Sequence, residues 1–194
     1  MKVLGIYGSP RKKGNSDILL DKALEGAKAK GAEVVSIYVR DLKFSGCQEC
    51  NACEKTGECI VDDDMQFIYP LLQNAEAIIL ATPVFFYGMT SQLKALIDRG
   101  QAMWSKRMLE KKKDNLKIYT SGKGYLIAVG ATKGKNLFLG IELVARYFFD
   151  ALDMEYKGGL FFKGVEKKGD ILKLSEALKK AFEFGENIVF NKGE

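Results

Sequence analysis

Four cysteines lie within a stretch of thirteen residues, and the chain has no others. They follow the pattern C-x2-C-x2-C-x5-C and are Cys47, Cys50, Cys53 and Cys59. Because overlapping C-x2-C units bring several thiolates together from one short loop, the pattern suits a cuboidal 4Fe–4S cluster held by four cysteine sulfurs. The residues therefore predict a metal site and one-electron chemistry on a single loop at about 44–62.

Other uses of these cysteines are open at this stage. The first residues lack the basic and apolar regions of an export signal, so we expect a reducing cytoplasmic location, in which structural disulfides are rare. Zinc sites usually join two cysteine knuckles through a longer spacer. A bacterial ferredoxin run has a shorter last spacer and a following proline, and its fourth cysteine serves a different cluster. This chain has no further cysteine, so here Cys59 would have to close the same cluster. The spacing leaves zinc and free or oxidised thiols as alternatives.

The composition excludes several other chemistries. Histidine is absent, which rules out Ser-His-Asp and Cys-His catalysis and histidine metal ligands. The 194 residues, 47% of them hydrophobic, suffice for a single domain, which we place at 1–194. The net charge of +5 is modest and the basic stretch from Lys106 to Lys113 lacks interleaved aromatics, so we expect no nucleic-acid partner. No apolar run reaches the length of a membrane span.

Short apolar runs alternate with amphipathic segments along the chain. We predict strands over 3–7, 33–39, 77–81, 125–129 and 155–162, with a poor edge strand around 116–119. Helices are predicted over 16–30, from about 62 to 74, over 91–104 and 137–152, and along a last stripe from Ile171 to Val189. Continuously apolar strands separated by such helices indicate a parallel sheet covered on both faces. The fold class is α/β: a flavodoxin-like, doubly wound five-stranded parallel sheet of order 2-1-3-4-5 in three αβα layers.

In such a sheet, ligands bind beyond the carboxyl ends of the strands, where the strand order reverses. The loop after the first predicted strand offers Ser9, Arg11, Asn15 and Ser16 around a helix start. A helix start attracts phosphate through its unpaired N–H groups and the positive end of its dipole. The loop matches neither G-x4-G-K-S/T nor G-x-G-x-x-G. An ordinary polar loop with a helix cap is therefore an equal alternative.

The loop after the third predicted strand is unusually apolar for a strand-to-helix connection. Its candidate residues are Pro83, Val84, Phe85, Phe86, Tyr87 and Gly88. A flat ligand, a subunit interface or core packing could each cover the three aromatic side chains, and N–H groups after Pro83 could bond the polar edge of a flavin. The loop after the fourth strand adds Gly130, which permits close backbone approach. We expect the cysteine loop at this same edge, where a cluster could couple to a flavin within the subunit or across an interface.

Three motifs follow one another along the chain. They are Gly8-Ser9-Pro10-Arg11 with Asn15-Ser16, the four cysteines with Asp62-Asp63-Asp64-Met65, and Pro83-Val84 with Gln92-Leu93-Lys94-Ala95-Leu96-Ile97-Asp98-Arg99. Together they resemble the iron–sulfur flavoprotein family, within the NAD(P)H-dependent FMN reductase group of flavodoxin-like proteins. The resemblance is strong to about residue 100 and thins beyond it. Members usually carry a glycine-rich stretch ending in Gly-Gly-Gln-Glu after the fourth strand, where this chain has Gly130-Ala131-Thr132-Lys133-Gly134-Lys135-Asn136.

The resemblance implies FMN at the sheet edge, with its phosphate on Ser9, Arg11, Asn15 and Ser16 and its isoalloxazine ring along residues 83–88. It also implies a 4Fe–4S cluster on the four cysteines. Family members form homodimers or homotetramers in which a cluster of one subunit approaches a flavin near the interface. The implied donor is NAD(P)H or a ferredoxin, and the implied acceptor is a small molecule such as a quinone or an oxygen species.

Three functional hypotheses follow. The first is a cytoplasmic electron-transfer flavoprotein with no membrane or nucleic-acid partner and no catalytic side chain, because its chemistry resides in the cofactors. The second is a cluster-free NAD(P)H-dependent FMN or quinone reductase of the same fold, with the cysteines vestigial or binding zinc. The third is a non-enzymatic redox or metal sensor that passes its state to a partner protein.

Overall fold

A five-stranded parallel sheet organises the chain in the computed structural model, which describes residues 1–111 and 118–190. The strands run in the order β2-β1-β3-β4-β5, and each neighbouring pair is parallel. This confirms the predicted flavodoxin-like order, which reverses between β1 and β3. The strands are β1 (Lys2–Tyr7), β2 (Glu33–Tyr38), β3 (Ala77–Pro83), β4 (Gly122–Gly130) and β5 (Met154–Lys163).

Helices cover both faces of the sheet. Among the described residues the α-helices are α1 (Asn15–Ala29), α2 (Cys53–Thr56), α3 (Met65–Asn74), α4 (Ser91–Arg99), α5 (Gln101–Glu110), α6 (Leu139–Ala151) and α7 (Ala177–Phe190), with 3-10 turns at Val39–Asp41 and Asp170–Lys173. Helices α1 and α7 pack on one face, and α3, α4, α5 and α6 pack on the other. The predicted three layers are therefore present. In these two ranges, no helix combines the length and apolar character needed to cross a membrane.

Burial of both faces explains why the strands are apolar throughout. Successive side chains of a strand point to opposite faces. In β1, Val3 and Tyr7 pack with α1 and α7, whereas Leu4 and Ile6 pack with the helices on the other side. In β3, every residue over 77–81 is fully buried. A central strand of a covered sheet thus has no solvent-facing position, and its sequence shows no polar alternation.

Two predicted helices have different bounds from those expected. The helix expected over 91–104 is split at Gly100 into α4 and α5. A side-chain carbon at Gly100 would lie 3.2 Å from the Phe148 ring of α6, so the missing side chain leaves room for that ring. The last predicted helix, expected from Ile171 onward, starts later: Ile171 lies in a 3-10 turn, and the α-helix begins at Ala177. Residues 116–117 of the expected edge strand lie outside the described ranges, and 118–119 are not in a strand.

Hydrogen bonds join the loops after β1 and β3. The Gly8 N–H donates to the Ala81 carbonyl at 2.8 Å. The Thr90 hydroxyl donates to the Gly8 carbonyl at 2.6 Å and accepts from the Leu93 N–H at 3.3 Å, which caps α4. The start of α4 is therefore attached to the loop that follows β1.

Helices α1 and α7 approach closely through two glycines. A side-chain carbon at Gly185 would lie 1.7 Å from the Ala23 carbonyl oxygen, and one at Gly26 would lie 2.0 Å from the Phe182 carbonyl oxygen. Protein interiors are close-packed, so neither helix can move aside without losing buried contacts.

We expect Gly185→Ala to lower the free energy of unfolding by about 2 kcal/mol, because overpacking at a close helix contact outweighs the better helix propensity of alanine. Asn187→Ala, at an exposed position of the same helix, is the control and should change stability by less than about 0.5 kcal/mol. Urea denaturation measures both variants. Equal stability of Gly185→Ala and the wild type would contradict the close approach.

Candidate functional site

The loops after β1 and β3 enclose a cavity of about 120 Å³ together with the end of β4. The cavity lies where the strand order reverses, which is the expected ligand position of this fold. The structure thus brings together residues from two loops that the sequence marked separately. Its walls include Ser9 and Arg11 of the first loop, Asn15 and Ser16 at the start of α1, Pro83 at the end of β3, Phe85 of the second loop and Val129 of β4.

The start of α1 has an unsatisfied donor in this cavity. Gly14 precedes the helix, and no side chain caps its first turn. Ser16 is 1% exposed, and its hydroxyl has no hydrogen-bond partner among the described residues. A buried polar group without a partner is destabilising by about 1–3 kcal/mol. An anionic group at this position would accept from the hydroxyl and from the N–H groups of the helix start.

The Asn15 side chain is used elsewhere. Its Nδ2 donates to the Lys167 carbonyl at 2.9 Å, and its Oδ1 accepts from the N–H groups of Gly169 at 2.9 Å and Ile171 at 3.3 Å. The amide thus attaches the segment after β5 to the start of α1. One of the two Nδ2 hydrogens and the backbone N–H are not engaged by these three contacts, so the contact from Asn15 to a phosphate stays a prediction.

Arg40 supports the loop after β1 from beneath, a role that sequence reasoning missed. Its Nη1 donates to the Ser9 carbonyl at 3.1 Å and pairs with Asp17 Oδ2 at 2.9 Å. The same Asp17 oxygen accepts from the Lys13 N–H at 3.1 Å. Burial raises the pKa of Asp17 above its ordinary value, and Arg40 opposes that shift. No local pattern could reveal Arg40, because 31 residues separate it from Ser9.

The aromatic loop after β3 forms a tight two-residue turn. Phe85 and Gly88 pair as an antiparallel bridge, and the residues between them, Phe86 and Tyr87, have φ angles of 49° and 61°. Two positive φ values define a type I′ turn, which normally contains asparagine and glycine. Non-glycine residues reach this region at a cost of about 1–2 kcal/mol each. Phe86 is also fully exposed, so the turn combines backbone strain with an apolar side chain in water.

The backbone of this turn is largely occupied by hydrogen bonds within the chain. The Val84 N–H donates to the Val129 carbonyl at 2.8 Å, and Phe85 and Gly88 exchange hydrogen bonds at 2.8 and 3.0 Å. The prediction that N–H groups after Pro83 serve a flavin edge is therefore wrong for these three residues. It stays a prediction for Phe86 and Tyr87.

Packing within the chain accounts for the glycines of the loop after β4. A side-chain carbon at Gly130 would lie 2.6 Å from Leu137 Cδ2, and one at Gly134 would lie 2.5 Å from the Tyr87 hydroxyl. Gly130 therefore permits the approach of Leu137. The Tyr87 side chain lies over Gly134, which joins the aromatic turn to this third loop.

A second cavity, of about 420 Å³, brings the four cysteines together. All four are free thiols; two are exposed and two are half-buried. Within 1–111 and 118–190, no three Cys, Asp or Glu side chains are close enough to share one metal ion. The four cysteines therefore line one cavity without converging on a single-ion site. The walls include Cys47, Cys50, Cys53 and Cys59 with Asp98, Arg99 and Gln101.

The backbone between the cysteines contains left-handed residues, and one of its N–H groups donates to a cysteine sulfur. Glu49 and Asn51 have positive φ angles of 53° and 60°, and Ala52 is right-handed helical. A left-handed residue followed by a right-handed one directs successive N–H groups to one side, an arrangement found at phosphate and iron–sulfur sites. The Glu49 N–H donates to Cys47 Sγ at 3.4 Å. The loop therefore offers backbone hydrogen bonds to sulfur.

Arg99, at the end of α4, holds both ends of the cysteine loop. Its Nη1 and Nη2 donate to the two carboxylate oxygens of Asp63 at 2.6 and 3.1 Å, and Nη1 also reaches the Ser45 carbonyl at 3.0 Å. The Arg99 side chain is 1% exposed. Burial opposes ionisation of Asp63, but hydrogen bonds from Arg99 and from the N–H groups of Met65 and Ser45 outweigh it and hold the pKa of Asp63 below its ordinary value.

Helix α4 separates the two cavities. Thr90, just before the helix, is bonded to the loop after β1, whereas Arg99 at its other end lines the cysteine cavity. Nine residues of helix rise correspond to about 14 Å. The cysteine loop passes beside α4, with a Cβ on Gly46 falling 3.8 Å from Ala95 Cβ. The cysteine loop starts at the expected edge, because β2 ends at Tyr38 directly beside the end of β1 at Tyr7. From there it continues along α4, so that the cysteines lie near the far end of that helix.

Comparison with known proteins identifies the family to which the chain belongs. The sequence profile of the NADPH-dependent FMN reductase family matches residues 1–154. The chain belongs to this family of flavin-dependent oxidoreductases.

Relatives support the same assignment and the resemblance to iron–sulfur flavoproteins. An iron-sulfur flavoprotein of Archaeoglobus fulgidus is 41% identical over 99 residues, which is 51% of this chain and 45% of that protein. An iron-sulfur flavoprotein of Methanocaldococcus jannaschii is 34% identical over 148 residues, which is 76% of this chain and 72% of that protein. The alignments thus span less than half of the first relative and about three quarters of the second. A solved flavone reductase shares the fold, with a TM-score of 0.70, 21% identity and coverage of 98% of this chain and 62% of that one.

The smaller cavity lies where the strand order reverses, which is where flavodoxin-like proteins hold FMN. Its position therefore agrees with membership of an FMN reductase family. Sequence reasoning missed the roles of Arg40 and Arg99. Asp63 and Arg99 both lie in the motifs that resemble the family, but 36 residues separate them. Periodicity carries no signal across such a distance.

We expect Arg99→Met to lower the free energy of unfolding by about 3 kcal/mol, because it leaves Asp63 without its buried partner. The control is Lys94→Met, which removes the exposed Lys94–Asp98 pair and should change stability by less than about 1 kcal/mol. Urea denaturation gives both values, and hydrogen exchange over residues 45–63 should rise only in Arg99→Met.

The effect of Arg99 should depend on pH. A carboxylate whose pKa is lowered by folding contributes stability above its unfolded pKa of about 4 and loses it as the pH falls through the lower folded value. The stability difference between wild type and Arg99→Met should therefore be constant near neutral pH and shrink in acid below about pH 4. A difference that stays constant in acid would show that Asp63 is not the partner responsible.

We expect Phe86→Asn to raise the free energy of unfolding by up to about 1 kcal/mol, because asparagine tolerates the left-handed region better than phenylalanine. Phe67, which is also largely exposed but lies in α3, gives the control. Phe67→Asn should lower stability slightly, since asparagine is a weaker helix former. Thermal unfolding compares the two, and a destabilised Phe86→Asn would contradict strain at this turn.

Proposed function

We propose that the chain is an electron-transfer flavoprotein oxidoreductase that holds FMN and a 4Fe–4S cluster and acts on a small acceptor, a quinone or an oxygen species. The observation that carries the proposal is the cavity lined by all four cysteines, in a chain whose family is that of NADPH-dependent FMN reductases. When bound, FMN supplies one- and two-electron chemistry and the cluster supplies one-electron chemistry.

The residues around the smaller cavity fit a flavin phosphate. The unpartnered Ser16 hydroxyl and the uncapped start of α1 supply donors, and Arg11 supplies a charge-assisted hydrogen bond. Ser9 lines the same wall, and Arg40 fixes its carbonyl from below. The segment 83–88 would lie along the isoalloxazine ring, with Pro83 and Phe85 already in the cavity wall.

The residues around the larger cavity fit a cluster better than a single ion. A cuboidal cluster binds each thiolate through a separate iron, so its four ligands would line one space, and the four cysteines line one cavity here. A cluster with four thiolates is anionic. The wall also contains the carboxylates of Glu49, Glu54 and Asp98, and the one cationic residue in the described wall, Arg99, is paired with Asp63. What Arg99 can still offer to a cluster is its buried Nε–H, which has no partner among the described residues. The left-handed Asn51 and the right-handed Ala52 direct successive N–H groups to one side. These groups and the Glu49 N–H favour negative charge in the same way.

A homo-oligomer is part of the proposal. Helix α4, about 14 Å long, connects the loop beside the smaller cavity to the cysteine cavity, and we propose that the cluster of one copy faces the flavin of a second. Helix α6 presents an exposed apolar stripe of Leu139, Leu143 and Tyr147, and Phe86 on the aromatic turn is fully exposed. A second copy would remove these side chains from water. The donor would be NAD(P)H or a ferredoxin.

A cluster-free NAD(P)H-dependent FMN or quinone reductase is the second candidate. The observation that favours it is the exposure of Cys47 and Cys50, since exposed thiols are open to oxidation. In that case the cavity at the start of α1 would still bind FMN, and the cysteines would be dispensable.

The test is cofactor analysis of protein purified without oxygen. We expect about four iron and four sulfide, as the 4Fe–4S formula requires, and one FMN per chain. Cys50→Ser should lose iron and keep FMN. Ser16→Asp should lose FMN and keep iron, because a carboxylate at the helix start repels a phosphate. This double separation would assign one cofactor to each cavity.

Other outcomes point elsewhere. Negligible iron in the wild type, with bound flavin reduced by NADPH equally well in Cys50→Ser, would establish the cluster-free reductase. Both cofactors without turnover on any acceptor, together with a protein partner whose binding follows the oxidation state, would establish the redox sensor. A wild type that binds no FMN would overturn the flavoprotein proposal as a whole.

A further inference from the structure

One cysteine receives a hydrogen bond from a side chain. Ser105, on α5, donates its hydroxyl proton to Cys53 Sγ across an Oγ–Sγ distance of 3.4 Å. Ser105 is buried, with 4% of its surface exposed, and Cys53 is half-buried at the start of α2. The two residues are 52 positions apart, so the contact is made by the packing of α2 on α5.

The backbone of α2 is held tightly against α5 next to this contact. Gly57 ends α2 with a φ of 73°. A side-chain carbon at Gly57 would lie 2.9 Å from the Cα of Lys106, the residue that follows Ser105. Only glycine combines the positive φ with so short an approach. The Ser105 hydroxyl therefore faces Cys53 from a fixed position.

The direction of this hydrogen bond suits a thiolate. A neutral thiol sulfur is a weak acceptor, whereas a hydrogen bond to an ionised acceptor is roughly twice as strong as one between neutral groups. A serine inside a helix commonly bonds the carbonyl four residues earlier, but Ser105 reaches across to sulfur.

We infer that Ser105 is a positioning residue that holds the Cys53 thiolate and raises the reduction potential of the cluster bound there. The inference rests on the proposed function. Hydrogen bonds to the sulfurs are among the factors that set a cluster's potential. One-electron reduction makes the cluster more negative, and a hydroxyl that donates to a sulfur stabilises the more negative state more strongly. Residues that contact metal ligands commonly tune a site in this way.

The test is an anaerobic redox titration of the cluster followed by electron paramagnetic resonance. In Ser105→Ala, the ratio of reduced to oxidised cluster at a fixed solution potential should fall about tenfold, which for a one-electron couple is a midpoint lower by about 59 mV. Ser105→Thr keeps a hydroxyl and should restore most of the potential. Ser121→Ala, at an exposed position before the core of β4, is the matched control and should leave the potential unchanged.

Each result bears on the inference. An unchanged or higher midpoint in Ser105→Ala overturns it. Loss of iron in Ser105→Ala, with iron retained in Ser105→Thr, supports a hydroxyl that holds the thiolate. Loss of iron in both variants overturns the inference, because the site would then depend on the packing of the serine side chain and not on its hydroxyl.

Failure of the inference is distinguishable from failure of the proposed function. Wild-type protein without iron, prepared anaerobically, contradicts the cluster itself. Wild-type protein with a full cluster whose midpoint matches that of Ser105→Ala contradicts only the role of Ser105. The midpoint of bound FMN provides an internal reference, because Ser105 lines neither the flavin loops nor the cavity at the start of α1 within the described residues.

Discussion

The ion pair between Arg99 and Asp63 is the interaction on which the cysteine loop depends. A loop of some twenty residues with little secondary structure has few means of holding four side chains around one space. Arg99 joins the start of that loop at Ser45 to its end at Asp63, and does so from the last turn of α4. Asp63 in turn accepts from the Met65 N–H where α3 begins. Breaking a buried pair of this kind leaves an uncompensated charge, so the loop and the helix layer are coupled.

The same helix relates the cysteine cavity to the smaller cavity at the start of α1. Its first turn is tied through Thr90 to the loop after β1, and its last turn carries Arg99. One helix therefore connects the loop beside the smaller cavity to the loop that carries the cysteines. Strain is concentrated beside the smaller cavity, where Phe86 and Tyr87 adopt left-handed conformations in an exposed turn. Such conformations gather at functional sites, where surrounding structure compensates for their cost.

The fold could be predicted because its signals are local. A central strand covered on both faces is apolar at every position, and amphipathic helices between such strands leave a parallel sheet as the consistent solution. The predicted bounds differ from the structure at Gly100, where the expected helix is split, and before Ala177, where the last helix starts later than expected. At Gly100 a contact with another helix is involved. The ring of Phe148 against Gly100 is that contact. Helix propensity alone cannot anticipate it.

By itself, the sequence determined the sheet order, the two loops that meet at its reversal and the compact spacing of four cysteines. Each is encoded in residues close together along the chain. Only the tertiary structure decided how those loops are used: that the Asn15 amide binds the segment after β5, that Arg40 supports Ser9, and that Ser105 donates to Cys53. These partners lie 31 to 152 residues apart. Their contacts arise from packing of whole elements, which local periodicity does not specify.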